Sequence, residues 1–383
     1  MFSLRRIGWL SILCMMISMT AAFAAVAAPD ADKLTAQAVI LIEADTGKIL
    51  YEKNAETRMY PASTTKIMTT ILALEKGRLE DIITVSENAA RTGGSSMELA
   101  SHDRVALGDA LYGVMMVSGN DAAVATAEHI AGSVDAFAVL MNEKAQKLGA
   151  VRTHFANSCG LPNPQHYTTA HDLSRIAAYA YQNPVFRQMI ATKFKELSWR
   201  EKQKPILLEN TNLLLGNYQG INGMKTGYTE AAGECLVASA ERDGINLIAV
   251  VLHAAKDYRW YEAAALLDYG FDRVKMETLA KKENMNAYVR VQGGDAYRVQ
   301  AYPSGDIQVP VVDGDKNNYS IKVETPAVKA PIAEGQVVGK VNVLYKGQMV
   351  EQVDLLAQKE VEAGFSILAV LAGYVSDALQ WIK

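Results

Sequence analysis

The sequence predicts a mixed α/β domain in which helices cover a sheet, followed by a smaller all-β domain and an amphipathic C-terminal helix. Strand-like segments lie at both ends of a helix-rich block, which indicates one sheet covered by the helices between them. From Val274 the pattern changes to short β segments separated by Gly and Pro. The 383-residue chain is long enough for two domains, and its 50% hydrophobic content is ordinary for a globular protein.

The first predicted domain covers residues 28–272 and begins with a β-hairpin. The segment AVILIEADTGKILYEKN, residues 38–54, has two β-rich arms around the turn Asp45-Thr46-Gly47. Strand character returns in three later segments, GINGMKTGYT, ECLVASAERDG and INLIAVVLHA. Because the hairpin and the later strands need a common sheet, we expect all of them in one domain.

Helical patterns dominate from Ser63 to about Tyr181. Apolar residues recur at helical spacing in TTKIMTTILALEKG, LGDALYGVMMVS, DAAVATAEHIAG and SVDAFAVLMNEKAQKLG, and each segment ends near a Gly or a turn. A further helix is predicted in DYRWYEAAALLDYGFDRV, at the end of the domain.

The second predicted domain, residues 273–360, is followed by a helix in residues 361–383. In GFSILAVLAGYVSDALQWIK the polar residues occupy an arc of roughly 100° and apolar residues cover the rest. We expect this helix to bind a membrane surface through residues 363–383, with Tyr374 and Trp381 as interfacial anchors. Packing on the β domain or a dimer contact is the alternative.

The N-terminus has the pattern of a secretory signal peptide. Arg5 and Arg6 precede an apolar run that ends in the small residues Ala25-Val26-Ala27. We therefore expect residues 1–27 to be removed and the chain to be exported to the outer face of the cytoplasmic membrane. An uncleaved transmembrane anchor is the alternative, since the apolar run is nearly long enough to span.

Composition argues against several kinds of partner. The net charge is −4 and no long basic run occurs, so nucleic acid is not expected. No H-E-x-x-H motif occurs, and His166 and His171 are five residues apart, so no zinc site is expected. No phosphate-cradling Gly loop is evident, and no other cofactor is expected. Cys159 and Cys235 remain after the signal peptide, and both a disulfide and free thiols stay open.

Three short motifs carry the candidate chemistry. Ser63 and Lys66 are three residues apart, so they share one face of a helical first turn. Ser118-Gly119-Asn120 falls in the turn between two buried helices, and Lys225-Thr226-Gly227 lies on a strand. Each motif alone is weak, but S-x-x-K, S-x-N and K-T-G in this order and context form a recognised set.

With these motifs, the sequence resembles the D-alanyl-D-alanine carboxypeptidases of the low-molecular-mass penicillin-binding protein family across residues 35–360. PASTTKIMT, SSMEL, MMVSGNDAA and GINGMKTGYTEAAGECLVASA carry the resemblance. It implies a serine β-lactamase-like domain with an antiparallel sheet, a C-terminal β domain and often an amphipathic anchor. The implied partners are peptidoglycan stem peptides ending in D-Ala-D-Ala and β-lactam inhibitors. NSCGL departs from the family at Cys159, where His or Asp is more usual.

The resemblance implies an acyl-enzyme mechanism on the motif residues. Ser63 would be the nucleophile and Lys66 the general base, with its pKa depressed by burial or by the second cation Lys225. Ser118 would relay the proton to the departing D-Ala. Asn120 would hold Lys66 and the substrate amide.

The remaining predicted roles concern the substrate oxygens. The backbone N–H groups of Ser63 and Tyr228 would form the oxyanion hole. The terminal carboxylate would bind at Lys225, Thr226 and Gly227. By similarity Arg259 would bind it too, because a guanidinium matches a carboxylate.

Three alternative functions remain at this point. A β-lactamase of class A would use a further Glu for deacylation, and HFANSCGLPNP has no acidic residue. A D,D-endopeptidase would use the same site residues. A non-catalytic cell-wall-binding scaffold would not need Ser63, Lys66 and Lys225, and all three are present.

Overall fold

The computed structural model of the chain describes residues 26–202, 204–364 and 371. The first domain contains a five-stranded antiparallel sheet and two short ribbons. Its strands are β1 Ala38–Glu43, β2 Ile49–Lys53, β3 Ile82–Thr84, β4 Arg104–Ala106, β5 Phe194–Leu197, β6 Ile206–Glu209, β7 Ile221–Thr229, β8 Gly233–Arg242 and β9 Ile245–Ala254. The order in the main sheet is β2-β1-β9-β8-β7, and β3–β4 and β5–β6 form the ribbons.

The hairpin and the later strands share one sheet, as predicted. Leu41 of β1 pairs with Tyr51 of β2 on one side and with Ala249 of β9 on the other. All six residues of β1 are buried because helices cover both faces of the sheet. Alternate residues therefore enter two different cores: Ile40 faces one and Leu41 the other.

Helices form a layer on each side of the sheet. They are α1 Lys66–Lys76, α2 Glu87–Ala90, α3 Leu107–Met116, α4 Asn120–Ala131, α5 Val134–Lys147, α6 Ala170–Tyr181, α7 Pro184–Ala191 and α8 Tyr258–Arg273. The larger core lies between the sheet and residues of α1 and α3–α7, whereas α8 packs on the opposite face. This arrangement confirms the predicted sheet covered by helices.

Two local features differ from the sequence prediction. The ribbons β3–β4 and β5–β6 are additional strand pairs within and just after the block that we read as helical. The predicted start of the first helix, at Ser63, is a 3-10 turn over Ala62–Thr65, and α1 begins at Lys66. The backbone N–H of Lys66 bonds to the carbonyl oxygen of Ser63, which is the tighter spacing of a 3-10 turn.

The second domain is all-β, as predicted. Its strands are β10 Val274–Ala280, β11 Ala287–Gln292, β12 Arg298–Pro303, β13 Ile307–Val312, β14 Tyr319–Glu324, β15 Val328–Lys329, β16 Val337–Tyr345 and β17 Gln348–Ala357. Six of them form a sheet in the order β14-β16-β17-β12-β11-β15, and β10 pairs with β13. The predicted domain boundaries at residues 272 and 360 stay predictions.

The terminal predictions fall largely outside the described residues. Residues 1–25 of the predicted signal peptide, and residues 365–370 and 372–383 of the predicted anchor helix, are not described. Within the described part of the chain no single helix is long and apolar enough to cross a membrane. Among the described helices, α4 and α5 are long and apolar enough when taken together, but an 83° bend separates them.

Candidate active site

The Ser63–Lys66 pair lies at the centre of the site. Lys66 Nζ lies 2.9 Å from Ser63 Oγ, 2.7 Å from Asn120 Oδ1 and 2.7 Å from the carbonyl oxygen of Cys159. The side chain of Lys66 is 0% exposed, and burial lowers its pKa to about 8. A lysine in this state can take a proton from a hydroxyl within hydrogen-bonding distance.

Asn120 is oriented by its second hydrogen bond. Its Nδ2 donates to the carbonyl oxygen of Gly93 at 2.7 Å, and its backbone N–H donates to that of Ser95. The side-chain oxygen is therefore the atom that faces Lys66. This geometry agrees with the predicted contact between Asn120 and the base.

Ser118, two residues before Asn120, is buried and has a strained backbone conformation. Its φ is +61°, a left-handed value that is uncommon outside glycine. Its hydroxyl is buried without a hydrogen-bond partner among the described residues, so it bonds neither Ser63 nor Lys66 here. Strained residues and unpaired buried hydroxyls concentrate at functional sites, where a substrate group can provide the partner.

Strand β7 lies directly against the nucleophile turn. A Cβ atom on Gly227 would lie 3.0 Å from the backbone nitrogen of Ser63, so glycine permits this close approach. Lys225 is buried, and its Nζ donates to the carbonyl oxygen of Thr226. Burial, with smaller effects from Lys66 and Arg259, holds the pKa of Lys225 well below its usual value.

Lys225 was predicted as a second cation that could lower the pKa of Lys66, whereas the structure shows the effect in the other direction, with Lys66 lowering the pKa of Lys225. For Lys66, burial alone lowers the pKa, while Cys159 and Asp121 act in the opposite direction. Among the described residues Lys225 has no ion-pair partner. A substrate carboxylate would supply the missing negative charge.

Arg259 lies close to β7, at the start of α8. Its Nη1 donates to the carbonyl oxygen of Gly227 at 3.1 Å, and its Nε is 3.4 Å from a carboxylate oxygen of Glu234. The guanidinium also stacks on Trp260. The structure thus brings Arg259 to the K-T-G strand, with Glu234 as a partner that sequence reasoning missed.

The side chain of Tyr228 is exposed, and this residue follows Gly227 directly on β7. The predicted oxyanion roles of the Ser63 and Tyr228 backbone N–H groups stay predictions.

A loop from Asn157 to Gly160 holds the first turn of α1. The carbonyl oxygen of Cys159 accepts a hydrogen bond from Lys66, and that of Ser158 accepts one from Thr69. Asn157 Oδ1 in turn accepts the backbone N–H of Gly160. The thiol of Cys159 also donates to Asn157 Oδ1, at 3.6 Å, and both Cys159 and Cys235 are buried free cysteines.

Three further polar residues support the site and were not assigned from the sequence. Asp121 accepts hydrogen bonds from Ser96, Met97, Leu99 and Ala122, and so fixes the segment SSMEL. His166 bonds Thr65 Oγ1 through Nε2 at 2.7 Å, which makes it a support for the nucleophile turn. Thr211 Oγ1 lies 2.7 Å from Thr226 Oγ1. The flanking asparagines of ENTNLL were the available signal for Thr211.

The site contains the hydroxyl of Ser63, the buried amine of Lys66 and two further cationic side chains, Lys225 and Arg259. No group of three or more His, Cys, Asp or Glu side chains in the described part of the chain could hold a metal ion. The fold and this geometry are those of a serine hydrolase in which a buried lysine amine lies beside the serine hydroxyl, on a sheet covered by helices.

Comparison with known proteins identifies the family within this class. The chain matches the D-alanyl-D-alanine carboxypeptidase family over residues 24–256 and the C-terminal domain of penicillin-binding protein 5 over residues 275–363. The chain therefore belongs to the D-alanyl-D-alanine carboxypeptidases and is a serine-type carboxypeptidase, as predicted from the motifs. Members of this family act on peptidoglycan stem peptides and bind β-lactams.

Curated relatives are similar along most of their length. D-alanyl-D-alanine carboxypeptidase DacF of Bacillus subtilis is 35% identical over 340 residues, which is 86% of this chain and 87% of the relative. DacC of Escherichia coli is 36% identical over 357 residues, which is 90% of this chain and 88% of the relative.

Solved structures agree with this assignment. Penicillin-binding protein 5 of Haemophilus influenzae is 31% identical, with a TM-score of 0.62 and coverage of 88% of this chain and 99% of that one. A mutant of the Streptomyces K15 DD-transpeptidase is 33% identical, with a TM-score of 0.60 and coverage of 62% and 98%. These relatives confirm the predicted class of fold.

Proposed function

We propose that this carboxypeptidase removes the terminal D-Ala from peptidoglycan pentapeptide stems through an acyl-enzyme on Ser63. One observation carries the proposal: the buried amine of Lys66 lies 2.9 Å from Ser63 Oγ. With the pKa of Lys66 near 8, about a tenth of the lysine is neutral at pH 7 and able to act as a base.

Acylation begins at the carbonyl of the penultimate D-Ala. Ser63 Oγ bonds to the carbonyl carbon while its proton passes to the neutral amine of Lys66. The backbone N–H groups of Ser63 and Tyr228 bind the resulting oxyanion. The C–N bond then breaks, and the departing amine takes a proton from Ser118, which is replenished by Lys66.

Deacylation uses the same groups in reverse order. Water attacks the ester carbonyl and gives its proton to Lys66, and Ser63 Oγ leaves as a hydroxyl. Before acylation begins, the terminal carboxylate of the substrate binds at Lys225, Thr226 and Arg259. A penicillin would acylate Ser63 by the same attack, with its β-lactam amide in place of the peptide bond.

We place this reaction outside the cytoplasm, at the outer face of the cytoplasmic membrane. The signal-peptide pattern of residues 1–27 and the amphipathic pattern of residues 361–383 support this localisation.

Intact-mass measurement with a penicillin tests the proposal, using the purified chain, Ser63→Ala and the exposed-serine control Ser304→Ala. D-Ala release from a diacetyl-Lys-D-Ala-D-Ala peptide is followed in parallel. We expect a slowly lost penicilloyl adduct and D-Ala release in the wild type and the control, and neither in Ser63→Ala. Rapid turnover of the drug would instead identify a β-lactamase. Absence of both adduct and release would leave a non-catalytic scaffold.

A further inference from the structure

The turn Asn210-Thr211-Asn212 is firmly held next to the K-T-G strand. Both asparagines are buried: Asn210 donates to the carbonyl oxygen of Thr192, and Asn212 Oδ1 accepts the backbone N–H of Leu214. The backbone N–H of Thr211 donates to the carbonyl oxygen of Met116, at the end of α3 and two residues before Ser118. Backbone and amide contacts thus fix Thr211 without any help from its own hydroxyl.

Among the residues that the structure describes, the hydroxyl of Thr211 has one partner, which is Thr226 of the K-T-G strand. The two Oγ1 atoms lie 2.7 Å apart. Thr226 is 7% exposed, whereas Thr211 is an exposed residue. Thr226 itself is already held by its pairing with Leu236 in the sheet, so the hydroxyl pair is not needed to position either backbone.

A hydroxyl group carries one proton and two acceptor lone pairs. Thr226 can donate its proton to a substrate carboxylate only if it does not donate that proton to Thr211. Towards Thr211 it must therefore act as a hydrogen-bond acceptor or form no hydrogen bond. Thr211 can donate to Thr226 Oγ1, which leaves the proton of Thr226 free for the carboxylate. Hydrogen bonds to a charged acceptor are about twice as strong as neutral ones, and donors in series strengthen one another.

We infer that Thr211 is a positioning residue for recognition of the substrate's terminal carboxylate, acting through the hydroxyl of Thr226. This inference rests on the proposed carboxylate site at Thr226. It assigns Thr211 no contact with the scissile bond. The expected consequence is selective. Loss of the Thr211 hydroxyl weakens recognition of ligands that have this carboxylate and does not change recognition of ligands that lack it.

The experiment compares Thr211→Val, which keeps the shape but removes the hydroxyl, with Thr211→Ser, which restores it. Thr192→Val is the matched control, because it removes a hydroxyl that donates to Gln188 on the surface instead. For each full-length protein we measure kcat/KM on diacetyl-Lys-D-Ala-D-Ala and on its C-terminal carboxamide. Acylation by a penicillin and by its carboxyl methyl ester is measured by intact mass.

In Thr211→Val we expect kcat/KM on the free peptide, and the acylation rate with the free penicillin, to fall about tenfold. The same quantities should fall less than about twofold for the carboxamide and the methyl ester. Thr211→Ser and Thr192→Val should stay within about threefold of wild type on all four. An equal loss on all four ligands, or no loss on the carboxylates, would overturn the inference. If the penicillin pair discriminates while the wild type releases no D-Ala, the proposed function fails and the role of Thr211 stands.

Discussion

A Cβ atom on Gly160 would lie 1.8 Å from the carbonyl oxygen of Ala62, the residue before the nucleophile. Gly160 also has a φ of +87°, which side chains rarely adopt. The neighbouring Cys159 supplies the carbonyl oxygen that binds Lys66. The loop can therefore contact both the nucleophile turn and the base because position 160 has no side chain.

Gly160→Ala is expected to destabilise the first domain and abolish acylation, since the loop must move away from Ala62. The control is Gly47→Ala, where φ is +68° but no atom lies within 4 Å of the added Cβ. Gly47→Ala should lose about 1–2 kcal/mol for the left-handed backbone alone, and Gly160→Ala at least about 2 kcal/mol more from the clash. Urea unfolding and penicillin acylation provide the two measurements, and equal losses would contradict the packing argument.

Acylation should depend on pH through the ionisation of Lys66. Its pKa is lowered to about 8, so the neutral, reactive form falls about tenfold for each pH unit below that value. We expect the second-order rate of penicillin acylation to rise from pH 6 to about pH 8 and then to level off. Lys66→Arg stays protonated throughout and should lose at least about 100-fold. A rate that is flat between pH 6 and pH 8 would rule out Lys66 as the base.

Asp121→Asn should shift this pH profile downward. The carboxylate of Asp121 raises the pKa of Lys66, opposing the effect of burial. Removing its charge therefore lowers that pKa, and the midpoint of the acylation profile should move below the wild-type midpoint. Because the new amide also faces backbone N–H donors of Met97 and Leu99, stability should fall by about 1–3 kcal/mol. A midpoint that moves upward would contradict the charge argument.

Much of the fold follows from local patterns in the sequence. The run of β-rich apolar residues in AVILIE and the helical spacing of apolar residues in KIMTTILALEK are both local patterns, and both elements form as predicted. Ser63, Lys66 and Asn120 could be assigned to one site from the sequence because their motifs have known spacing and order. The 3-10 turn at Ser63 was missed, since the difference between a 3-10 and an α-helical turn depends on the packing of Gly160 and Gly227 around it.

The supporting residues were missed for a different reason. His166 bonds a threonine 101 residues earlier in the chain, and the Thr211 hydroxyl pairs with one on another element. A single His or Thr in a loop has no periodicity or spacing that indicates such a partner. Only the tertiary structure brings these residues beside the motifs.

His166 is held as a neutral ring by two opposite hydrogen bonds. Its Nδ1 accepts the backbone N–H of Ala156, so Nε2 carries the proton that is donated to Thr65. Burial, with smaller effects from His154 and Lys66, lowers the pKa of His166 to about 4. Protonation would break the bond from Ala156 and place a second cation near the base.

This pKa predicts acid sensitivity of the first domain. As the pH falls from 6.5 towards 4, the unfolded chain binds a proton at this histidine and the folded chain does not, so stability is lost on that interval. The loss is on the order of 3 kcal/mol. His166→Phe should be less stable at pH 7 by about 1–3 kcal/mol, because the Ala156 N–H loses its acceptor. The loss between pH 6.5 and pH 4 should be smaller by about 3 kcal/mol in this variant.

Urea unfolding at several pH values, followed by the fluorescence of Trp199 and Trp260 in the first domain, measures both effects. His102→Gln, on an exposed turn, is the matched control, and its stability curve should run parallel to that of the wild type. Parallel curves for the wild type and His166→Phe would mean that His166 does not cause the acid sensitivity. A shallower curve for His166→Phe alone would establish that the neutral ring holding Thr65 limits stability in acid.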